Sequence, residues 1–380
     1  MCKGLRALPS HQVTAFPVIS ESYYTRSPGV WGAIREALGT VASRITLRQL
    51  EYCVAVGDSG SIAVAAERIH VSPSSISAAV THVESELQAD LFVRHHAQGL
   101  SVTPVGRLVL REARQILDLT SGLYTVTAEV QNSIRGPLRV GCLTTLASMV
   151  IPELTQNFVR VHTGVQLSTV EDHQEGLFDR LRYAEIDIAI TYDLQIATAD
   201  IEFEALAKLP PHAVVSERHP LAKQNAVTLE ELVELPMVLL DLPLSSEYLL
   251  SLFHDFVPGP QIAARSKSPE VVRSLVANDA GYAIANVRPR TQQAMDGRKV
   301  VMLPLVGNHR PMQLGLAIPK GRRSSSVVEA FQQCCRATIS DQYVPGMTAP
   351  FPDVIDKVPH KKRPRKQPIE NQNTSDSAHD

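Results

Sequence analysis

Residues 68–87 read RIHVSPSSISAAVTHVESEL, and the reading of this stretch decides the first domain. Ser72 is placed to accept a hydrogen bond from the free N–H groups of a helical first turn. Pro73 suits the first helical position, where no donor is missed. Ile76, Val80, Val83 and Leu87 follow at spacings of four and three, the buried stripe of a helix. Ser74, Ser75 and Ser77 are more hydroxyls than a cap needs, and a helix that opens on small polar residues can lie close against a polar surface. Working outward, Ser61 caps IAVAAERIH, where Ile62, Ala65, Ala66 and Ile69 recur at helical spacing. Before it, LRQLEYCVAVGDSG puts Leu47, Leu50, Val54 and Ala55 on one face, and Asp58-Ser59-Gly60 ends that helix. Two short helices, a tight turn and a third helix make a helix-turn-helix unit. After it, LFVRHHAQGLSVT reads as two strands around Gly99, a hairpin wing.

Thr103-Pro104 is again a cap followed by proline, opening a long helix expected to reach about Ile134. Val109, Ala113, Ile116, Thr120, Leu123, Thr127, Val130 and Ile134 lie alternately four and three apart. A repeat sustained this long favours pairing with another helix, through Val109, Ile116, Leu123 and Val130 in particular, so a homodimer or homotetramer is expected. Packing of this helix on its own domain is the alternative. From Leu138 strands and helices alternate: LRVGCL, VQLSTVE and IDIAITY are strands, with helices between them. A second set follows with PMVLLD, SSEYLLSLFHDF, SPEVVRSLVANDA, GYAIANV, VVMLPLV and PMQLGLAIP. This is the pattern of parallel βαβ units, in two lobes that the chain crosses between twice, leaving a cleft.

The expected organisation is an N-terminal extension (1–44), a winged helix-turn-helix unit (45–104) and a linker helix (105–135). A two-lobed domain (138–340) and a disordered tail (341–380) follow. Lobe I takes about 138–209 and 303–340, and lobe II about 210–302. The tail carries the basic run KKRPRK at 361–366, and a start near Val41 is expected for much of the natural protein. Net charge is −2, so no global basic field advertises nucleic acid. No apolar run approaches the roughly 20 residues that cross a bilayer, and no signal peptide is read, which points to the cytoplasm. The five cysteines form no CxxC and no metal spacing, consistent with a reducing compartment. Idle or buried thiols are the plain reading, with redox chemistry at Cys142 or Cys334-Cys335 the alternative. No nucleophile elbow, P-loop, HExxH or dinucleotide fingerprint appears, so neither an enzyme nor a cofactor is expected. A solute-binding receptor would explain residues 138–338 but would leave 45–134 without a role.

The order of these parts resembles the LysR-type transcriptional regulators. The resemblance is carried by LRQLEYCVAV, GSIAVAAERIHVSPSSIS, ESELQADLFVRHHAQGLSVTPVGR and, in the second lobe, HPLA. It implies an α + α/β fold: an N-terminal winged helix-turn-helix, a long linker helix, and a two-lobed α/β effector-binding domain of the type II periplasmic-binding-protein kind. The implied partners are double-stranded operator or promoter DNA, a small-molecule effector and, for an activator, RNA polymerase. The implied DNA-facing residues are Ser72, Pro73, Ser74, Ser75, Ser77 and Thr81 on the recognition helix, with Arg94, His95 and His96 at the wing. Here the chain departs from the family, which commonly has Gln-Pro after the serine and Arg after the later serine. This sequence has Pro73, Ser74 and Ala78 in those places, so direct base readout is expected to be thin. Residues 45–104 hold three arginines against six acids, a formal −3, which is poor for binding phosphate. Arg44, Arg107, Arg111 and Arg114 are the candidates to make up the charge. For the effector the resemblance implies Thr144 and Thr145 after the first strand, where free N–H groups favour an anion. Ser245 and Ser246 would face them from the second lobe, with Glu171, His173 and Tyr192 at the ends of the next two strands.

Overall fold

A computed structural model of the protein describes residues 44–95, 99–129, 134–196, 200–321 and 324–349, with the helical backbone alone described over 122–129. Residues 1–43 of the extension lie outside the described residues, as does His96. Helix α1 (Leu47–Ser59) is followed by α2 (Ile62–Arg68), whose N-cap Ser61 accepts the N–H of Val64 at 3.4 Å. Ser72 caps α3 (Pro73–Leu87) by accepting the N–H of Ser75 at 3.2 Å, with Pro73 in the first turn as expected. Ile76, Val80 and Val83 are buried against Tyr52, Cys53, Val56, Ala65 and Ala66. Of the expected stripe residues, Leu47 is 45% and Leu87 40% exposed, and Leu50, Val54, Ile62 and Ile69 are only half-buried. The inward face of α1 is turned toward Tyr52, Cys53 and Val56 because the next long helix crosses at Gly57. A Cβ there would sit 2.5 Å from Leu110. Leu87 stays out because the Glu84 carboxylate closes that end of α3, accepting the N–H groups of Leu91 (2.8 Å) and Phe92 (3.2 Å). The wing is β1 (Phe92–His95) paired antiparallel with β2 (Gly99–Val102). It docks on the α1–α2 turn, where the Leu100 N–H reaches Gly60 O at 2.8 Å.

Helix α4 (Pro104–Glu129) is 26 residues, about 39 Å. Thr103 starts it, accepting the Gly106 N–H at 2.8 Å and donating to Asp90 O at 2.7 Å. The expected seam needs correcting. Ala113 is 2% exposed and faces its own winged helix, while Val105, Leu108, Ile116 and Leu119 form the outward apolar stripe, Leu119 being 75% exposed. Val109 is half-buried between the two faces, and the side chains of Leu123 and Val130 lie outside the described residues. Arg114 is no candidate for phosphate. Its guanidinium is buried, donating to Asp58 at 2.6 Å and to Tyr183 O at 3.0 Å, and so joins the winged helix to the α/β domain. Arg139 ties the same helix down from the other side, pairing with Asp118 (3.0 Å) and Asp187 (2.7 Å).

Lobe I begins with β3 (Arg135–Leu143), three residues before the expected Leu138, then α5 (Thr144–Val161), β4 (Gly164–Asp172), α6 (Gln174–Arg182) and β5 (Ile188–Tyr192). A strand not read from the sequence, β6 (Ile201–Leu209), leads into lobe II. Lobe II holds β7 (His212–Ser216), a 3-10 turn at Pro220–Lys223, α7 (Leu229–Val233), β8 (Met237–Leu240) and α8 (Ser245–Ser251). A second unread strand, β9 (Ile262–Ser266), then α9 (Pro269–Ala277), β10 (Ala283–Ala285) and β11 (Val300–Pro304) complete it. The chain returns through β12 (Met312–Pro319) and α10 (Ser326–Thr338). Sheet order in lobe I is β4-β3-β5-β12-β6, with β3 parallel to β4 and β5, and β12 antiparallel to β5 and β6. In lobe II β7 lies between β10 and β11, and β8 pairs parallel with β9.

Residues 341–349 contradict the expected start of disorder at 341. They form a strap from lobe I to lobe II. Asp341 accepts the Lys208 N–H at 2.7 Å, the Tyr343 hydroxyl donates to Glu153 at 2.6 Å, and Arg290 donates to the same hydroxyl at 3.3 Å. Thr348 N–H bonds Arg288 O at 2.9 Å, and Val344 and Met347 are buried. Gly346, at φ +73°, passes so close to α5 that a Cβ would lie 2.6 Å from that of Met149. The basic run at 361–366 lies outside the described residues.

Candidate functional site

The N-terminus of α3 is an open hydroxyl surface. Ser72, Pro73, Ser74 and Ser75 are exposed, and the Ser72 Oγ lies 2.9 Å from that of Ser74 and 2.8 Å from that of Ser75. Thr81 shares the outward face with Ser74 and Ala78, and Ser77 is half-buried at its edge. On the wing Arg94 and His95 are exposed, the histidine Nε2 2.7 Å from Ser101 Oγ. Two of the six acids that made this unit look hostile to phosphate are spent inside it. Asp58 pairs with Arg114, and Glu84 caps the amides of Leu91 and Phe92. The charge on the outward face is therefore less negative than the residue count.

A cleft of about 310 Å³ lies between the lobes. Thr145, Tyr192 and Ser245 line it, bringing together three of the seven residues expected there. Tyr192 is buried at the carboxyl end of β5, its hydroxyl 3.5 Å from Thr145 Oγ1, and burial raises its pKa above the usual phenol range. Thr144, Glu171, His173 and Ser246 do not line this cleft. Thr144 is exposed at the start of α5. Glu171 is near the end of β4 and His173 just after it, β4 being the outer strand of the sheet, and His173 is held by Asp172 at 2.7 Å. The Ser246 hydroxyl donates back to Leu242 O at 3.1 Å. Sequence reasoning missed most of the wall: Ser148 and Met149 one turn into α5, Leu249 on α8, Val272 and Arg273 on α9, Ile284 and Asn286 near β10, and Met312. Asn286 donates to Leu209 O at 2.8 Å and to the Tyr248 hydroxyl at 3.1 Å, close to the crossing between lobes. Among the described residues no cysteine lines the cleft. Burial pushes Cys53 up to about 12 and raises Cys142 and Cys335 still further, away from the reactive thiolate.

Residues 47–107 match the bacterial regulatory helix-turn-helix protein, lysR family, and residues 131–340 match the LysR substrate binding domain. The regulator CysB of Haemophilus influenzae is 30% identical over 198 residues, which are 50% of this chain and 60% of that protein. HinK, a LysR family transcriptional regulator from Pseudomonas aeruginosa, superposes with a TM-score of 0.53 at 32% identity, covering 78% of this chain and 99% of that one. A full-length variant of OxyR from the same organism reaches a TM-score of 0.64 at 23% identity over 78% of this chain and 99% of that one, a likeness of fold. The capped helix-turn-helix, the wing, the linker helix and the two-lobed α/β domain are thus those of a known group, and the chain belongs to the LysR family of transcriptional regulators, not to an enzyme family.

Proposed function

We propose that this protein is a cytoplasmic transcription factor whose binding to an operator responds to a small molecule held between its lobes. The observation that carries the reading is the exposed, serine-rich start of α3 on the same chain as an apolar cleft with hydroxyls at one end. In this reading Ser72, Pro73, Ser74, Ser75, Ser77 and Thr81 face the major groove, and Arg94 and His95 touch the backbone from the wing. Sequencing the DNA retained by the purified protein tests it: enrichment of one sequence supports it, and retention spread evenly over the genome overturns it.

The outward stripe of α4 pairs two copies, giving a homodimer, or a homotetramer built from two of them, that spans two half-sites and can present a surface to RNA polymerase. Among the described residues its apolar side chains are left exposed, whereas Ala113 is covered. Ile116→Lys with Leu119→Lys is expected to leave the fold intact and convert the dimer to monomer in sedimentation. A dimer that persists assigns the pairing elsewhere.

The effector contacts Thr145, Tyr192 and Ser245. Thr145→Val keeps the shape and removes one hydroxyl. It is expected to weaken the effector response by roughly fivefold to tenfold, the worth of one neutral hydrogen bond, without changing DNA binding in the absence of effector. An unchanged dose–response curve would make Thr145 a wall residue only.

A further inference from the structure

Arg273 is the single cation among the described residues lining the cleft. It stands half-buried on α9. Its Nε donates to Gln293 O at 3.2 Å and one terminal nitrogen donates to Thr291 O, so two backbone carbonyls occupy one side of the guanidinium. No carboxylate among the described residues pairs with it. Elsewhere in the α/β domain Arg139, Arg180, Arg182, Arg310 and Arg336 each pair with an acid within 3.1 Å, whereas Arg290, like Arg273, donates to neutral oxygens, those of Met347 O and the Tyr343 hydroxyl. Of these, only Arg273 lines the cleft. Burial lowers the Arg273 pKa, yet a guanidinium remains charged at neutral pH. A half-buried charge without a counter-ion is unfavourable, and an incoming anion relieves that cost.

The surroundings limit the anion further. Glu270, one turn earlier on α9, also lines the cleft, but its carboxylate is held by the Ser268 hydroxyl at 3.0 Å and lies beyond ion-pair distance from Arg273. It leaves room for one negative charge at Arg273 and disfavours a second. His212, paired with Ala285 in the lobe II sheet, is pushed down to about 3 by burial and then by the charges of Arg288 and Arg273, so it is neutral and adds no cation. Met149, Leu249, Val272, Ile284 and Met312 give the wall an apolar stretch, beside the neutral polar groups of Thr145, Ser148, Tyr192, Ser245 and Asn286. Methionines adapt to the shape of an apolar guest.

We infer that the effector is an amphipathic monoanion, with one carboxylate head on Arg273 and an apolar body against Met149, Leu249, Val272, Ile284 and Met312. The inference rests on the effector reading of the cleft and names its ligand class. Arg273 sets the choice between acids and neutral analogues of the same shape, because only an anion gives it charge-assisted hydrogen bonds.

The test is calorimetric titration of the full chain with octanoate and 4-phenylbutyrate, each beside its amide and its amine. At least one acid is expected to bind about 10- to 100-fold more tightly than its amide, with the amine weakest. Arg273→Gln is expected to remove that difference by weakening the acid alone, and Arg273→Lys to restore part of it. Circular dichroism confirms that each variant is folded. Ser148→Trp, on the exposed turn of α5 at the cleft, is expected to block acid and amide alike. Equal affinity for acid and amide, no effect of Arg273→Gln, or no binding of either acid overturns the monoanion. If Ser148→Trp still blocks a ligand that shows no charge preference, the cleft remains the site and only the ligand class falls. Binding that ignores Ser148→Trp shows that the ligand sits elsewhere, and the effector reading of the cleft fails with it.

Discussion

Ser74→Glu combined with Thr81→Glu is expected to lower affinity for the operator by about 100-fold or more while leaving the fold unchanged. Both side chains stand on the outward face of α3, and Ile76, Val80 and Val83 on the opposite face keep the helix seated. Two carboxylates directed at phosphates add repulsion, and like-charge juxtaposition at an interface costs several kcal/mol. The first of them sits near the positive end of the helix, where an acid stabilises the isolated domain, so lost binding cannot be ascribed to a weaker helix. The opposite change is equally informative. Ala78→Arg on the same face is expected to raise affinity for DNA and to steepen its salt dependence by about one unit of slope, one more phosphate neutralised. Gel shifts across a salt series read both. If the double glutamate variant binds the operator as the parent does, α3 does not face DNA.

Met347→Ala is expected to lower the stability of the α/β domain by about 2–4 kcal/mol, within the usual range for truncating a buried methionine. Met347 is 6% exposed in a segment that compositional reading would have trimmed away. The strap has few apolar residues, so each carries a large share of its attachment. Tyr343→Phe is the milder companion, removing the bond to Glu153 for about 1 kcal/mol. Urea unfolding followed by circular dichroism measures both as shifts of the midpoint at constant slope. A midpoint for Met347→Ala within about 0.5 kcal/mol of the parent, the usual range for surface substitutions, would mean that the strap is not packed as described. The same geometry dictates where the chain can be cut to test the basic run at 361–366. An end at Ala349 spares the strap, and an end at Tyr343 destroys it.

Local chemistry along the chain determined the helix-turn-helix half of this protein. Ser61, Ser72 and Thr103 act on N–H groups three residues away, Pro73 and Pro104 sit in first turns, and Gly99 shapes the wing. Such signals are complete within a few residues, so they were legible before any packing was known. The helix and strand pattern from Leu138 likewise named two lobes and a cleft. What the tertiary structure alone decided is which face or strand end meets what. The period of α4 allowed several seams, and the contact of Leu110 with Gly57 chose the one that turns Ala113 inward and leaves Leu119 out. Tyr192 and Glu171 both end strands, but β5 lies inside the sheet and β4 at its edge, so one lines the cleft and the other does not. Val344 and Met347 are too few to show a period, and only the groove that receives them makes them core. Arg273 interrupts an apolar helix face and reads alone as a solvated charge. Its place in the cleft depends on α9, β10 and the 291–293 backbone meeting from separate parts of the chain, a convergence set by long-range packing that no spacing along the sequence encodes.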